Sequence, residues 1–348
     1  MKCTPQLYEE IYICFINLCG VVKSNMDIIL DFIKKYDNFL IFGHEDPDAD
    51  SVCSSLALSI LIKYLGKTAH VYSQHPFKRT ELKQFEKHCK AEVLDSDITK
   101  NSAVILLDHH NPARTAPFSK AAASLPTAII DHHDTSYEPV PQGIEAVYID
   151  SKTSSTTILT YRFMKFCKYT PDGFASKLIF LGLCTDTGFF RHLEEHSSEA
   201  FAAAGELTEL GVSPNKIFYE VYGNKSINSR VFLGIMLSRM QSFFDGQLII
   251  VYETIADIKH YNPADRDKDM LYQILLGTDG VKIVASFRED ELNKCSASLR
   301  TTENIDVAKI AADFGGGGHK KASGYTVLST IEDAISDFVS YAERFFKK

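Results

Sequence analysis

The chain has 348 residues, 45% of them hydrophobic, and a formal net charge of −8, which is length enough for two domains with cores of their own. An acidic balance without a long Lys/Arg run excludes a protein that gains its affinity by wrapping duplex nucleic acid, although a local cation cluster or metal can still attract a small anion. The eight cysteines form no Cys-x-x-Cys pair and lack the spacing of a secreted disulfide scaffold, so a reducing cytoplasm is the expected compartment.

The first residues, "MKCTPQLYEE", lack the basic start of a signal peptide, and "IYICFINLCGVV" (11–22) is too short to span a bilayer. No membrane span is expected. Residues 1–25 read as an N-terminal extension, either a packed helix or a membrane-surface segment, with Met26 as an alternative natural start. From there strand-like and helix-like runs alternate. "NFLIF" (38–42), "AHVYS" (69–73), "AVILL" (103–107), "TAII" (127–130) and "AVYI" (146–149) are short apolar runs rich in β-branched and aromatic residues. "DSVCSSLALSILIKYLGK" has apolar side chains at helical spacing and stops at Gly66. Helical patterns return at 153–168, at 173–184 and after Ser197 and Ser198. Such alternation predicts a mostly parallel sheet flanked by helices, with ligands at the carboxyl ends of its strands.

That rule gives the polar residues at the element ends their meaning. "FLIFGHEDPDADS" offers His44, Asp46, Asp48 and Asp50, "VILLD" delivers Asp108, "AIID" delivers Asp131, His132 and His133, and "IFLGLCTDTGFF" delivers Asp186. An Asp at a strand-to-helix junction is often only an N-cap, and capping is the preferred reading of Asp46. With Glu45, His109 and His110 included, four such clusters carry seven acids and five histidines between them, which capping does not explain. That many carboxylates together without a cation would repel one another. Carboxylates and imidazoles without thiolate suit Mn²⁺ or a related divalent ion.

His44-x-Asp46-Pro47-Asp48-Ala49-Asp50, Asp108, Asp131-His132-His133 and Thr185-Asp186-Thr187-Gly188, in this order, resemble the four motifs of the DHH phosphoesterase superfamily. "SASLRT" (296–301) followed by "FGGGGHKKASG" (314–324) resembles the DHHA1 domain of its nanoRNase/pAp-phosphatase branch, which includes stand-alone cyclic-di-AMP phosphodiesterases. The resemblance covers residues 26–345. It implies an α/β fold with an N-terminal DHH domain, 26–210, a linker, 211–226, and a smaller C-terminal α/β DHHA1 domain, 227–348, with the active site in the cleft between them. Two departures stand out: Asp46 where the family has Asn, and Ala49 where it has Gly. Neither removes a ligand.

The resemblance implies two Mn²⁺, with Mg²⁺ or Co²⁺ as substitutes. His44, Asp48 and Asp108 would hold one ion, and Asp50, Asp108, His132 and Asp186 the other, with Asp108 bridging. His133 would donate to a phosphate oxygen while Asp131 orients the imidazoles. Arg114 follows the second motif as a substrate contact, and His109 and His110 receive no ligand role, so losing either should cost little, or for His110 affect substrate choice only. In the second half, Gly315, Gly316, Gly317 and Gly318 would let backbone N–H groups approach an anion, with His319 beside them and Arg300 as a phosphate clamp. The expected substrate is a small nucleotide or very short oligonucleotide, cyclic-di-AMP or pApA first. A pAp 3′-phosphatase, a general nanoRNase and a non-catalytic nucleotide sensor are the alternatives. A homodimer is also implied. Residues 227–243 would supply an apolar helix at the domain junction, or else a helix for internal packing.

Overall fold

The computed structural model describes residues 23–135, 139–193, 195, 197–223 and 225–346. Residues 1–22, most of the expected N-terminal extension, lie outside these. The chain forms two compact units, Met1–Gly223 and Asn224–Lys348. The linker expected at 211–226 contains a helix, Pro214–Tyr222, capped by Ser213, so the division between units falls at its end. Pro at the first helical position opens a helix here instead of marking extended chain.

The first unit runs α1 (Asn25–Lys35), β1 (Asn38–Phe42), α2 (Ala49–Tyr64), β2 (Thr68–Tyr72), β3 (Cys89–Lys90), β4 (Ser102–Leu107), α3 (Ser119–Ser124), β5 (Thr127–Asp131), β6 (Ala146–Ile149), α4 (Thr156–Phe166), α5 (Gly173–Asp186), α6 (Ser198–Glu209) and α7 (Pro214–Tyr222). Its six strands are parallel in the order β3-β2-β1-β4-β5-β6. β1 and β4 are buried along their whole length, as continuous apolar strands in a sheet covered on both faces must be. One face, with Phe39, Ile41, Ile105 and Ile130, packs against α2, α4 and α5. The other, with Leu40, Phe42, Val104 and Leu106, packs against Phe118 and Ala122. α2 is buried nearly all round, Asp50 included, so that carboxylate must find partners inside the protein.

Register aligns the strand exits. Phe42 pairs with Leu106, and Leu107 with Ile130. The residues that follow, His44, Asp108 and Asp131, therefore leave the sheet side by side.

The second unit runs α8 (Ile227–Ser238), β7 (Gln241–Phe243), β8 (Leu248–Glu253), α9 (Ile255–His260), α10 (Lys268–Leu276), β9 (Ile283–Glu291), β10 (Lys294–Arg300), α11 (Val307–Asp313), β11 (Gly317–His319), β12 (Ala322–Val327) and α12 (Ile331–Phe346). The sheet order is β11-β12-β10-β9-β8-β7, antiparallel except for β8 beside β9. Ile283, Ala285, Phe287 and Leu299 face α11 and α12. Ile249, Val251 and Val284 face α8 and α10. Within 227–243, α8 packs Phe232 and Met236 inward while leaving Ile227 83% exposed. Among the described residues no helix is long and apolar enough to cross a membrane.

Candidate active site

The turn after β1 is shaped by close approach: a Cβ on Gly43 would lie 2.1 Å from Ser51 Oγ. That hydroxyl instead accepts the His44 N–H at 3.3 Å. Asp48 is the N-cap of α2, its Oδ1 accepting the Ser51 N–H at 3.0 Å, while Oδ2 sits 3.8 Å from His44 Nε2. One carboxylate therefore serves as cap and as candidate ligand. The capping role read for Asp46 belongs to Asp48, because Asp46 lies exposed and accepts from Lys78 Nζ at 2.9 Å.

Asp50 receives the backbone N–H groups of Thr156 and Thr157 at 2.6 and 2.8 Å. These are first-turn amides of α4, which have no acceptor within their own helix. Asp108 leaves β4 at φ 65°, a left-handed conformation uncommon outside glycine and frequent at functional sites. Its Oδ2 lies 3.5 Å from His44 Nε2 and its Oδ1 3.6 Å from His132 Nε2. His132 Nε2 is also 3.5 Å from Asp186 Oδ2 and 3.9 Å from Asp50 Oδ2. The other ring nitrogen, Nδ1, meets the Thr153 carbonyl oxygen at 3.2 Å, an arrangement that leaves Nε2 as an acceptor.

Separations of 3.5–3.9 Å between candidate donors are too long for hydrogen bonds. They suit atoms that each lie about 2.1 Å from a shared ion. Three groups form this way: His44/Asp48/Asp108, Asp50/His132/Asp186 and Asp108/His132/His133, each with ligand atoms within 4.8 Å of one another.

The electrostatics point the same way. Burial, with Asp50 and Asp48 next, pushes Asp108 well above the carboxylate range. Burial raises Asp50 too, with Asp48 adding to it, and burial with Asp50, Asp108 and Asp48 lifts Asp186 to about 9. Burial also opposes the Asp48 carboxylate, but His44 and the Ser51 N–H outweigh it and hold Asp48 at about 2. A cation supplies the positive charge that such a set requires, and its hard oxygen and imidazole donors fit a divalent metal ion.

Beside this cluster Asp131, fully buried, is shared between two imidazoles. Its Oδ1 meets His133 Nδ1 at 2.7 Å and its Oδ2 meets His110 Nδ1 at 2.7 Å. Burial acts against the Asp131 carboxylate, but the bond to His133 and then that to His110 hold it below the usual range. The same Asp131 bond raises His133. The minor role expected for His110 is at odds with this geometry, in which its ring holds Asp131 from the side opposite His133. His109 differs: its Nδ1 meets the Asn111 carbonyl oxygen at 3.0 Å, and burial pushes the ring down to about 3, which keeps it neutral. Arg114 is exposed, and its charge opposes protonation of His133.

Sequence reading missed His110, the Thr156 and Thr157 amides and the Thr153 carbonyl. The available signal was Ser155, a capping residue ahead of an apolar helix, which marks free amides seeking an acceptor.

In the second unit part of the glycine run, expected to bring backbone N–H groups up to an anion, is strand. Gly317, Gly318 and His319 form edge strand β11 against Gly324, Ser323 and Ala322 of β12. A Cβ on Gly316 would come within 2.2 Å of the Gly324 carbonyl oxygen, and one on Gly318 within 2.7 Å of that of Ala322. Two of the four glycines thus serve the hairpin, while Gly315 and Gly317 have open space at the Cβ position. Because His319 pairs with Ala322 and Ala322 with Arg300, His319 and Arg300 share one sheet face, two strands apart, about 9–10 Å. Small residues Ala322, Gly317 and Gly324 lie on that face between or beside them. The Arg300 guanidinium lies 4.9 Å from the Tyr272 ring centroid.

Residues 38–184 match the DHH family, N-terminal domain, and residues 245–348 match the DHHA1 domain. The chain is 25% identical over 323 residues to a Thermus thermophilus protein named bifunctional oligoribonuclease and PAP phosphatase NrnA, covering 92% of this chain and 94% of that one. It is 23% identical over 336 residues to the Listeria monocytogenes cyclic-di-AMP phosphodiesterase PdeA, covering 91% of this chain but only 49% of that relative's length. Among solved structures, an exopolyphosphatase-related protein from Bacteroides fragilis superposes with a TM-score of 0.80 at 23% identity, covering 93% of this chain and 98% of that one.

Proposed function

We propose that this chain, which belongs to the DHH/DHHA1 phosphoesterase superfamily, is a Mn²⁺-dependent phosphodiesterase acting on cyclic-di-AMP, pApA and other very short oligonucleotides. The observation that carries the reading is Asp108. Its two carboxylate oxygens face two different imidazoles, His44 and His132, each with a further carboxylate beside it. His44, Asp48 and Asp108 would hold one ion, and Asp50, Asp108, His132 and Asp186 a second. Two divalent cations held there would supply a water of lowered pKa and neutralise charge on the transferring phosphoryl group.

The chain's own residues do the rest. Thr156 and Thr157 fix the Asp50 carboxylate through their amides, and the Thr153 carbonyl fixes the His132 tautomer. His133, held through Nδ1 on Asp131 and favoured in its protonated form, offers Nε2–H to a phosphoryl oxygen. Arg300 and His319 present a guanidinium and an imidazole from one face of the second sheet, suited to a terminal phosphate. The retention of every candidate ligand disfavours a non-catalytic sensor.

A panel of cyclic-di-AMP, pApA, a five-residue RNA and pAp, assayed with Mn²⁺ under one set of conditions, tests the reading. Highest kcat/KM is expected for cyclic-di-AMP or pApA, and Mn²⁺ should restore stripped protein better than Ca²⁺ does. A preference for pAp would make the chain a 3′-phosphatase instead, and activity on none of the four would refute the assignment.

A further inference from the structure

In the first unit, beside strands β2 and β3, a cavity of about 280 Å³ is lined by Lys63, His70, Lys87, His88, Lys90 and Phe174, and none of its lining residues is a carboxylate. This is unusual on a chain of net charge −8. Lys90 is committed elsewhere, to Asp97 at 2.6 Å. Lys63 and Lys87 have exposed side chains and no carboxylate partner among the described residues. His70 is held below its ordinary range first by burial and then by Lys90 and Lys63, against Asp97. His88 is held down by burial, then Lys87 and Lys63. All five of these side chains line the one cavity. His88 and Phe174 pack with ring centroids 5.1 Å apart, and Phe174 is 38% exposed, so an aromatic wall stands next to the cations. The inner wall is apolar, from Leu56 and Val71.

We propose that this cavity is a second anion site that takes a nucleoside monophosphate, with Lys63 and Lys87 on the phosphate and the His88–Phe174 ring pair against the base. With Asp97 taken up by Lys90, the remaining lining cations repel one another, and a bound phosphate turns that repulsion into attraction. The exposed rings favour a nucleotide over a bare phosphate, since an aromatic face stacks on any base. The volume is near the lower end of small-ligand pockets. Lys63 lies thirteen residues beyond Asp50 on the same helix, about 20 Å along its axis, so the site is separate from the candidate metal ligands.

The test is equilibrium dialysis of adenosine 5′-monophosphate in EDTA, using the full chain carrying Asp108→Ala and Arg300→Ala so that neither candidate substrate contact contributes. One AMP per chain is expected. Adding Lys63→Glu and Lys87→Glu should weaken it about tenfold or more. Phe174→Ala should weaken AMP while leaving competition by inorganic phosphate unchanged. With Asp108 and Arg300 intact, the Lys63→Glu/Lys87→Glu protein should keep its metal-dependent turnover, which reports an intact fold. Absence of AMP binding at millimolar concentration, or binding insensitive to the charge reversal, overturns the proposal. Equal loss of AMP and phosphate in Phe174→Ala overturns the role given to the rings.

Discussion

His110→Ala separates two histidines that look alike in the sequence. In the folded protein His110 Nδ1 and Asp131 Oδ2 are 2.7 Å apart, with side chains 5% and 0% exposed. Removing the imidazole leaves one oxygen of a buried carboxylate without this partner, a loss of about 3–5 kcal/mol for a broken buried pair. For a unit of this size each kcal/mol moves Tm by about 2–4 °C, so a fall of roughly 10 °C is expected by calorimetry. A functional loss should accompany it. Freed of His110, the Asp131 carboxylate can rotate, and His133, whose Nδ1 rests on it, loses its aim. A change in a group that orients a working residue costs about 10–100-fold, here in kcat with KM little changed. His110→Asn, which returns one neutral donor near the Nδ1 position, should restore most of the rate. His109→Ala should lower stability through its lost packing, since that residue is fully buried, yet lose less than about tenfold in kcat. The reasoning is refuted if His110→Ala keeps kcat within about twofold of wild type, or if His110→Asn fares no better than His110→Ala.

Asp108→Ala and His132→Ala each remove a candidate ligand facing more than one partner; each should abolish turnover and lower metal content by elemental analysis. His109→Ala should keep its metal and lose less than about tenfold in rate, and metal loss matching that of His132→Ala would contradict the ligand assignment. Arg300→Ala should raise KM far more than it lowers kcat if the guanidinium binds ground and transition states alike; a loss confined to kcat would place Arg300 at the chemistry. Stability of stripped protein should fall as pH rises. Asp186 is raised from 3.8 to about 9 by burial and its neighbouring carboxylates, and Asp108 and Asp50 are raised as well. Below about pH 4 these groups are protonated folded or unfolded. Above it the unfolded chain releases protons that the folded chain retains, which costs the folded state. Tm in EDTA should therefore decline from about pH 5.5 to about pH 8.5, Mn²⁺ should abolish the decline, and a flat profile in EDTA would count against the carboxylate cluster.

Local pattern was enough for five of the six strands of the first sheet, the two-residue β3 being too short to show one, and for where each cluster sits. A parallel-sheet strand buried on both faces must be a short continuous apolar run, so "NFLIF", "AVILL" and "TAII" read directly as β1, β4 and β5, within a residue at either end. The polar residues that follow had to emerge at strand ends, and this made His44, Asp48, Asp108 and Asp131–His133 legible as one constellation. Partners brought in from afar were not legible. Nothing in "LLDHHNPAR" says that His110 rather than His109 turns toward Asp131, because that choice depends on Asp108 leaving β4 in a left-handed conformation and on β5 lying beside it. The amides that grip Asp50 lie more than a hundred residues away, and only the packing of α4 against α2 brings them there. In "FGGGGH" the glycines advertised conformational freedom, while the hairpin with β12 decided that Gly316 and Gly318 are needed for close backbone approach. Periodicity and adjacency are properties of a chain segment, and a sequence displays them. Which buried polar group satisfies which other is a property of the packed fold, since each must find its partner among whatever the tertiary structure places within reach.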